Sequence, residues 1–199
     1  MEDVKNIING HEAVDLGLSV KWATCNVGAE NPEDIGEKYR WGEIERPTEG
    51  HYRFFDIKNR CVDHSMIAKH HPQAYKEDER RIHYNISGLA MYDVARHKWG
   101  AAWRMPTPDE MNELIEQCSW EWMGKMGRCG YKITGNTGNS IFLPTREDTI
   151  GHLYTSEYII KRWGNGEEGA CFMWVNYSIP HMNITPYGTG LAPIRPVIG

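Results

Sequence analysis

Four histidines, His64, His70, His71 and His83, crowd one polar stretch near residues 51–84. Imidazole is a common ligand for zinc and iron. A ligand set also needs fixed geometry and hydrogen-bonded support behind each ligand. These spacings match no metal motif, so the stretch reads as a solvated, His-rich loop. The cysteines, Cys25, Cys61, Cys118, Cys129 and Cys171, are five in number and widely spaced, with no CxxC pair. That pattern argues against a disulfide framework or a zinc knuckle and favours free, mostly buried thiols. No Gly-x-Ser-x-Gly and no coherent Ser/His/Asp arrangement supports nucleophilic hydrolysis. The glycines of "YKITGNTGNSIFLP" are flanked by two strand-like runs. A phosphate cradle needs a strand before it and a helix after it.

A different chemistry is concentrated toward the C-terminus. "LYTSEYIIKRWGNG" and "WVNYSIPHMNITPYGTG" are rich in Tyr, Trp, Asn, Ser, Thr and His. Such side chains make binding surfaces, because large amphipathic rings lose little entropy and the polar groups adapt their hydrogen bonds. The same composition also describes a polar loop lying over core aromatics.

Several elements must position these groups. "VDLGLSVKWATCNVG" (14–28) has extended character, with Val20 and Trp22 on one face of an alternation. Asp93 predicts a cap for a short helix over 94–98, ended by Gly100. In "AAWRMPTPDEMNELI" (101–115), Thr107, Pro108 and Glu110 form a capping box with proline at the first helical position. Met111, Leu114, Ile115 and Cys118 then fall on one helical face. Residues 131–134 and 140–143 predict a hairpin, and "ACFMWVNY" (170–177) a strand. Pro193 and Pro196 confine the closing "GLAPIRPVIG" to an edge or a short pairing.

The chain has 199 residues, a formal net charge of -5, 20 glycines and 8 tryptophans. That length suits one domain. The composition and frequent turn residues favour a loop-rich α+β fold over a helical bundle. The basic residues are scattered, so nucleic acid is not expected as a partner. No apolar run approaches the roughly 18 residues of a membrane span. "MEDVKNIINGHEAVDLG" has no basic region followed by an apolar one. That places the chain where it is made or in a virion, or on a cell surface if a leader has been removed.

The blocks "VDLGLSVKWATCNVGA", "YRWGE", "YDVARHKWGAAWRMPTPDEMNELI", "GYKITGNTGNSIFLP" and "GLAPIRPV" resemble the Fibrobacter succinogenes major paralogous domain. They run in that family's order from Val14 to Val197, outside the polar stretch. The resemblance implies a C-type-lectin-like fold, related to the formylglycine-generating enzymes, in which "LGLSVKWA" pairs with "GLAPIRPV". It makes residues 1–13 an N-terminal extension and 14–199 the domain, with a polar insertion near 51–84. It casts WRMPT as framework: Trp103 fills the core, Arg104 pins a loop and Thr107 starts a helix. The chain departs from the family at "LYTSEY", "TREDTIGH" and the Ala-Pro-Ile-Arg-Pro of the last strand.

The Glu-Pro-Asn, Gln-Pro-Asp and Trp-Asn-Asp motifs of calcium-binding lectins of this fold do not occur, so no metal or cofactor is expected. The close cysteine pair of the formylglycine-generating enzymes is missing as well. The expected function is therefore ligand recognition without catalysis, directed at a cell-surface glycan or protein. The expected face comprises Tyr154, Tyr158, Arg162, Trp163, Asn176, Tyr177, His181, Asn183 and Tyr187. "NYSIPHMNIT" also has the codon character of lectin-fold proteins diversified by retroelements, and a phage receptor-binding role is compatible with it. A metal or thiol enzyme and a structural virion or fimbrial subunit are the alternatives. Sequons at Asn85, Asn176 and Asn183 matter only in a eukaryotic secretory pathway. Oligomeric state is open.

Overall fold

The computed structural model describes residues 6–45, 63–125, 128–145, 151–162, 168–175, 181–184 and 191–199. Twelve strands there form three antiparallel sheets. The first holds β1 (Asn6–Ile8), β2 (His11–Val14), β3 (Lys21–Ala23) and β12 (Val197–Ile198), in that order. Five strands build the second, in the order β11 (His181–Ile184), β10 (Glu168–Val175), β9 (Gly151–Lys161), β5 (Arg81–Asn85) and β4 (Tyr75–Glu77). The third contains β6 (Ser119–Lys125), β7 (Arg128–Thr134) and β8 (Ser140–Thr145). Three α-helices accompany them: α1 (His64–His70), α2 (Val94–Trp99) and α3 (Pro108–Gln117).

The pairing of the terminal strands is present: Val197 stands opposite Trp22 and Ile198 opposite Lys21. Two expectations about domain limits need correction. Residues 6–13, expected ahead of the domain, form β1 and most of β2, and Ala13 is buried in the core. The physical reason is Asn9-Gly10, whose φ angles of 52° and 83° make the tight turn that suits a two-residue hairpin. Residues 63–84, expected as a polar loop with a short helix, form α1, a 3-10 turn (Pro72–Ala74) and the β4–β5 hairpin. That hairpin is built into the central sheet, because β5 pairs with β9 from Arg81↔Lys161 to Asn85↔Glu157. Ile67, Ala74 and Tyr84 carry it into the core.

All three helix starts use side-chain caps. Asp63 accepts from the Ser65 amide, Asp93 from Arg96, and Thr107 from Glu110. The last is a full capping box, since Glu110 Oε2 accepts in return from the Thr107 amide at 2.8 Å. Glu110 also takes both terminal nitrogens of Arg104, at 2.8 and 2.5 Å. Burial opposes the charge on Glu110, but hydrogen bonds from Arg104 and Thr107 outweigh it and hold its carboxyl below the usual range.

Asp93 does more than cap α2. Its Oδ2 accepts from the amides of Gly88 (2.7 Å) and Met105 (2.9 Å), which joins the 88–93 loop to WRMPT. Trp103 is fully buried and donates from its indole to the Ile8 carbonyl at 3.0 Å. The β7–β8 turn docks on the first sheet, where Thr137 and Asn139 both donate to the Asp15 carbonyl. A side chain at Gly135 would meet the Leu16 carbonyl oxygen at 2.0 Å, so this turn needs glycine.

The central sheet is covered on both faces. Tyr84, Tyr154, Tyr158, Ala170 and Phe172 join one core with Trp41, Trp99 and Trp103. Leu153, Met173 and Val175 join a second with Trp22, Met111, Leu114, Tyr131 and Leu143. The β9–β10 register slips between Ala170 and Phe172. There β9 sends its amides elsewhere, from Tyr154 to the Pro193 carbonyl and from Ser156 to the Pro106 carbonyl.

One buried cation joins these parts. Arg195 is fully buried. Its Nε donates to Asn26 Oδ1 at 2.7 Å, and its terminal nitrogens donate to the carbonyls of Ala23, Thr24 and Phe142. Burial pushes its pKa down to about 10, which leaves it charged at neutral pH.

Two outcomes follow from this architecture. Replacing Arg195 with Leu abandons several charge-assisted hydrogen bonds. Chemical denaturation should show a loss on the order of 3–5 kcal/mol, and a loss under 1 kcal/mol would contradict the role assigned to Arg195. Glu110 titrates with a depressed folded-state pKa. Its stabilisation is therefore complete above the unfolded-state value of about 4.3 and is lost as pH falls through the lower folded value. Glu110→Gln should cost about 1–3 kcal/mol at pH 7 and flatten the acid limb of the stability–pH curve. An unchanged acid limb would show that another carboxylate controls it.

Candidate functional site

Among the described residues, the expected ligand face does not come together as one surface. Tyr154 and Tyr158, predicted at that face, are only 2 % and 6 % exposed. Both lie on the same side of β9 within the aromatic core. Tyr158 packs against Trp41 and His64, with ring centroids 5.1 and 4.3 Å apart. These tyrosines are core residues, and the reason is that β9 runs between β5 and β10 in a sheet covered on both sides. His181 and Asn183 lie on β11, opposite Trp174 and Phe172. Trp163, Asn176, Tyr177 and Tyr187 lie outside the described residues.

Register also separates the two ends of the expected face. Arg162 follows the β9 end at which Ile160 pairs with Glu168, whereas His181 pairs with Trp174. From Glu168 to Trp174 a strand rises roughly 20 Å at about 3.3 Å per residue. Arg162 and His181 therefore belong to opposite ends of the sheet.

The Arg162 end carries the clearest site geometry. Its amide donates to the Arg80 carbonyl at 2.9 Å, so the end of β9 lies against the β4–β5 turn. Its guanidinium pairs with Glu77. Arg81 and Lys161 stand directly opposite one another across β5 and β9. Asp78 shapes the turn by accepting from the amides of Arg80 and Arg81, both at 2.7 Å. Those two hydrogen bonds hold its carboxyl below the usual range. Glu79, Arg80, Arg81, Lys161 and Arg162 border an open depression of about 900 Å³.

A polar strip runs behind it. His83 Nδ1 lies 3.1 Å from Glu157 Oε1, and its Nε2 lies 3.8 Å from Asp78. The Cys171 thiol faces Glu157 Oε2 at 3.9 Å. Burial, reinforced by the Glu157 charge, pushes that thiol up to about 12. Cys171 is therefore a thiol at any physiological pH and a poor nucleophile. Cys129 is also buried, with its Sγ 3.2 Å from the Thr145 carbonyl.

The histidine group disperses. His64 is enclosed by Trp41, Tyr84 and Tyr158, His70 is exposed, and His71 sits edge-on to Tyr92. Among the described residues no three His, Cys, Asp or Glu side chains are placed to hold a metal ion. No helix among them is long and apolar enough to cross a membrane.

Sequence reasoning found Arg162 but missed the cations that join it. Arg80 and Arg81 fall in the polar stretch near 51–84 that reads as a solvated loop. Only the pairing of β5 with β9 brings them to Arg162. Comparison with protein-family models, curated proteins and solved structures finds no match.

These placements separate core from surface experimentally. Tyr158→Ala should cost about 3–5 kcal/mol, as large-to-small aromatic changes in a core do. Arg162→Ala should stay within about 1 kcal/mol, as an exposed ion pair does. Urea denaturation of both variants checks this, and equal effects would refute the assignment.

Proposed function

We propose that this chain is a ligand-recognition domain that works without catalysis, and that its ligand is a cell-surface glycan or protein carrying anionic groups. The observation that carries this reading is the cation cluster at the Arg162 end. Arg81 stands opposite Lys161, with Arg80 and Arg162 beside them, so four cations and one carboxylate, Glu79, border the depression. On a chain of net charge -5, this is a local reversal of sign. A sulfate or carboxylate in the depression takes bidentate hydrogen bonds from the guanidinium groups.

The wider reading is a C-type-lectin-like domain similar to the Fibrobacter succinogenes major paralogous domain. The paired terminal strands, the capped helix after WRMPT and the three antiparallel sheets support it. Recognition is favoured over thiol chemistry because Cys171 is buried, with its pKa near 12. A retroelement-diversified or phage receptor-binding role belongs to the same proposal. Its test is a near-copy of the gene's 3′ end, mismatched at adenines, beside a reverse transcriptase.

Binding of the full chain to sulfated, uronic-acid and neutral glycan arrays tests the ligand class. Acidic glycans should be retained, and retention should fall steeply between 50 and about 300 mM salt, as screening predicts. Arg80→Ala with Arg162→Ala should weaken it at least about tenfold. Retention insensitive to both salt and these substitutions would overturn the assignment.

A further inference from the structure

A second groove lies away from the Arg162 end, on the outer face of the β6–β7–β8 sheet. Strand alternation assigns its floor. Tyr131, Ile133, Ile141 and Leu143 face the core. Glu121, Lys132 and Phe142 form a row across the opposite face, because Glu121 stands opposite Lys132 and Lys132 opposite Phe142. Phe142 lies over the β7 backbone: a side chain at Gly130 would meet the edge of its ring at 2.6 Å. Met123 forms one end and is 46 % exposed, while the Trp122 ring turns to the other face and packs against Tyr131. The far wall is the loop bearing Thr24 and Glu33. The space enclosed is about 820 Å³, within the roughly 300–1,000 Å³ of small-ligand sites.

Two features mark it as a built site. First, its walls are tied together by the buried guanidinium. Arg195 donates to the carbonyl of Thr24 on one wall and to that of Phe142 on the floor. It also holds Asn26, whose side chain donates to the Ile35 carbonyl at 2.9 Å and so steadies the loop bearing Glu33. Second, its charged groups are uncommitted. Glu33, Glu121 and Lys132 take part in no ion pair among the described residues, although Glu121 and Lys132 are cross-strand partners.

We propose that this groove binds a short neutral oligosaccharide. Charge complementarity selects that occupant. Lys132 stands in the floor between Glu121 on β6 and Glu33 on the far wall, so an ion of either sign would be repelled at one of these positions. A hydroxyl-bearing ligand satisfies both, donating to Glu33 and Glu121 and accepting from Lys132. The ring of Phe142 and the exposed Met123 side chain supply apolar surface for the C–H face of a sugar. The site is independent of the Arg162 depression. Its binding is insensitive to salt, whereas binding there is not, so one can fail while the other stands.

The test is titration of the full chain with cellotetraose, xylotetraose, maltotetraose, mannotetraose and chitotetraose, followed by amide NMR shifts and tryptophan fluorescence. At least one should produce saturable shifts confined to β6–β8 and the loop around Glu33, unchanged between 50 and 300 mM salt. Phe142→Ala should weaken that binding at least about tenfold and Glu121→Gln about fivefold, with Arg162→Ala without effect. Glu121 is exposed, so its substitution preserves the fold and serves if Phe142→Ala does not. Shifts mapping to the Arg162 end, or loss with Arg162→Ala instead, would overturn the proposal. So would the absence of shifts with all five sugars, or occupancy of the groove by a peptide in their place.

Discussion

A guanidinium with no access to water must have its charge met by the protein, and at Arg195 the need is answered by parts of the chain far apart in sequence. Asn26, Ala23, Thr24 and Phe142 are its acceptors. They come from the end of β3, the loop after it, and β8. An uncompensated buried charge costs several kcal/mol, so the three segments are obliged to meet. The flanking prolines suit this arrangement. Pro193 and Pro196 donate no amide, but their carbonyls accept from Tyr154 and Ala23. Ile194, between Pro193 and Arg195, accepts from Val27 at 3.0 Å. The terminal segment is thus an irregular hub rather than an extended strand. Only Val197–Ile198 continues as β12.

A second hub lies at Asp93 and WRMPT. Asp93 binds the amides of Gly88, Arg96 and Met105. Arg104 exchanges backbone hydrogen bonds with Val197 while its side chain holds Glu110. Val197 therefore links the hub built on Arg195 with the one built on Asp93. Both consist of charged side chains whose partners are mostly backbone groups. They organise loops and strand ends that regular pairing leaves unsatisfied. The charges with room for a ligand lie elsewhere, at the β4–β5 turn and on the outer face of β6–β8.

What could be read from the residues was mostly local. The capping box at Thr107 and the cap at Asp93 ended by Gly100 depend on neighbours within a few positions and are present, and the strand expected over 170–177 is present over 170–175, with 176–177 outside the described residues. Asn9-Gly10 was equally local and signalled a hairpin, but its strands are only three and four residues long and polar enough to pass as an extension. Tyr154 and Tyr158 misled for a physical reason. Tyrosine suits binding surfaces and cores alike, and only the position of β9 inside a covered sheet decides between them. The stretch with Arg80 and Arg81 looked like solvated loop because an edge hairpin keeps its outward side chains charged. The role of Arg195 was not legible, since nothing nearby in sequence reveals that four distant acceptors await it.

Native-state amide hydrogen exchange on the full chain tests the central claim most directly, that one buried cation and its hub hold the sheets together. The account predicts that the amides of Val27, Tyr154 and Val197 exchange only through global unfolding and share one opening free energy. Arg80 and Arg162, at the exposed sheet end, should exchange by smaller local openings. If Val27 or Val197 instead exchanged as readily as Arg162 while the β9–β10 core stayed protected, the terminal segment would be a detachable strap. The constraint placed on Arg195 would then be wrong.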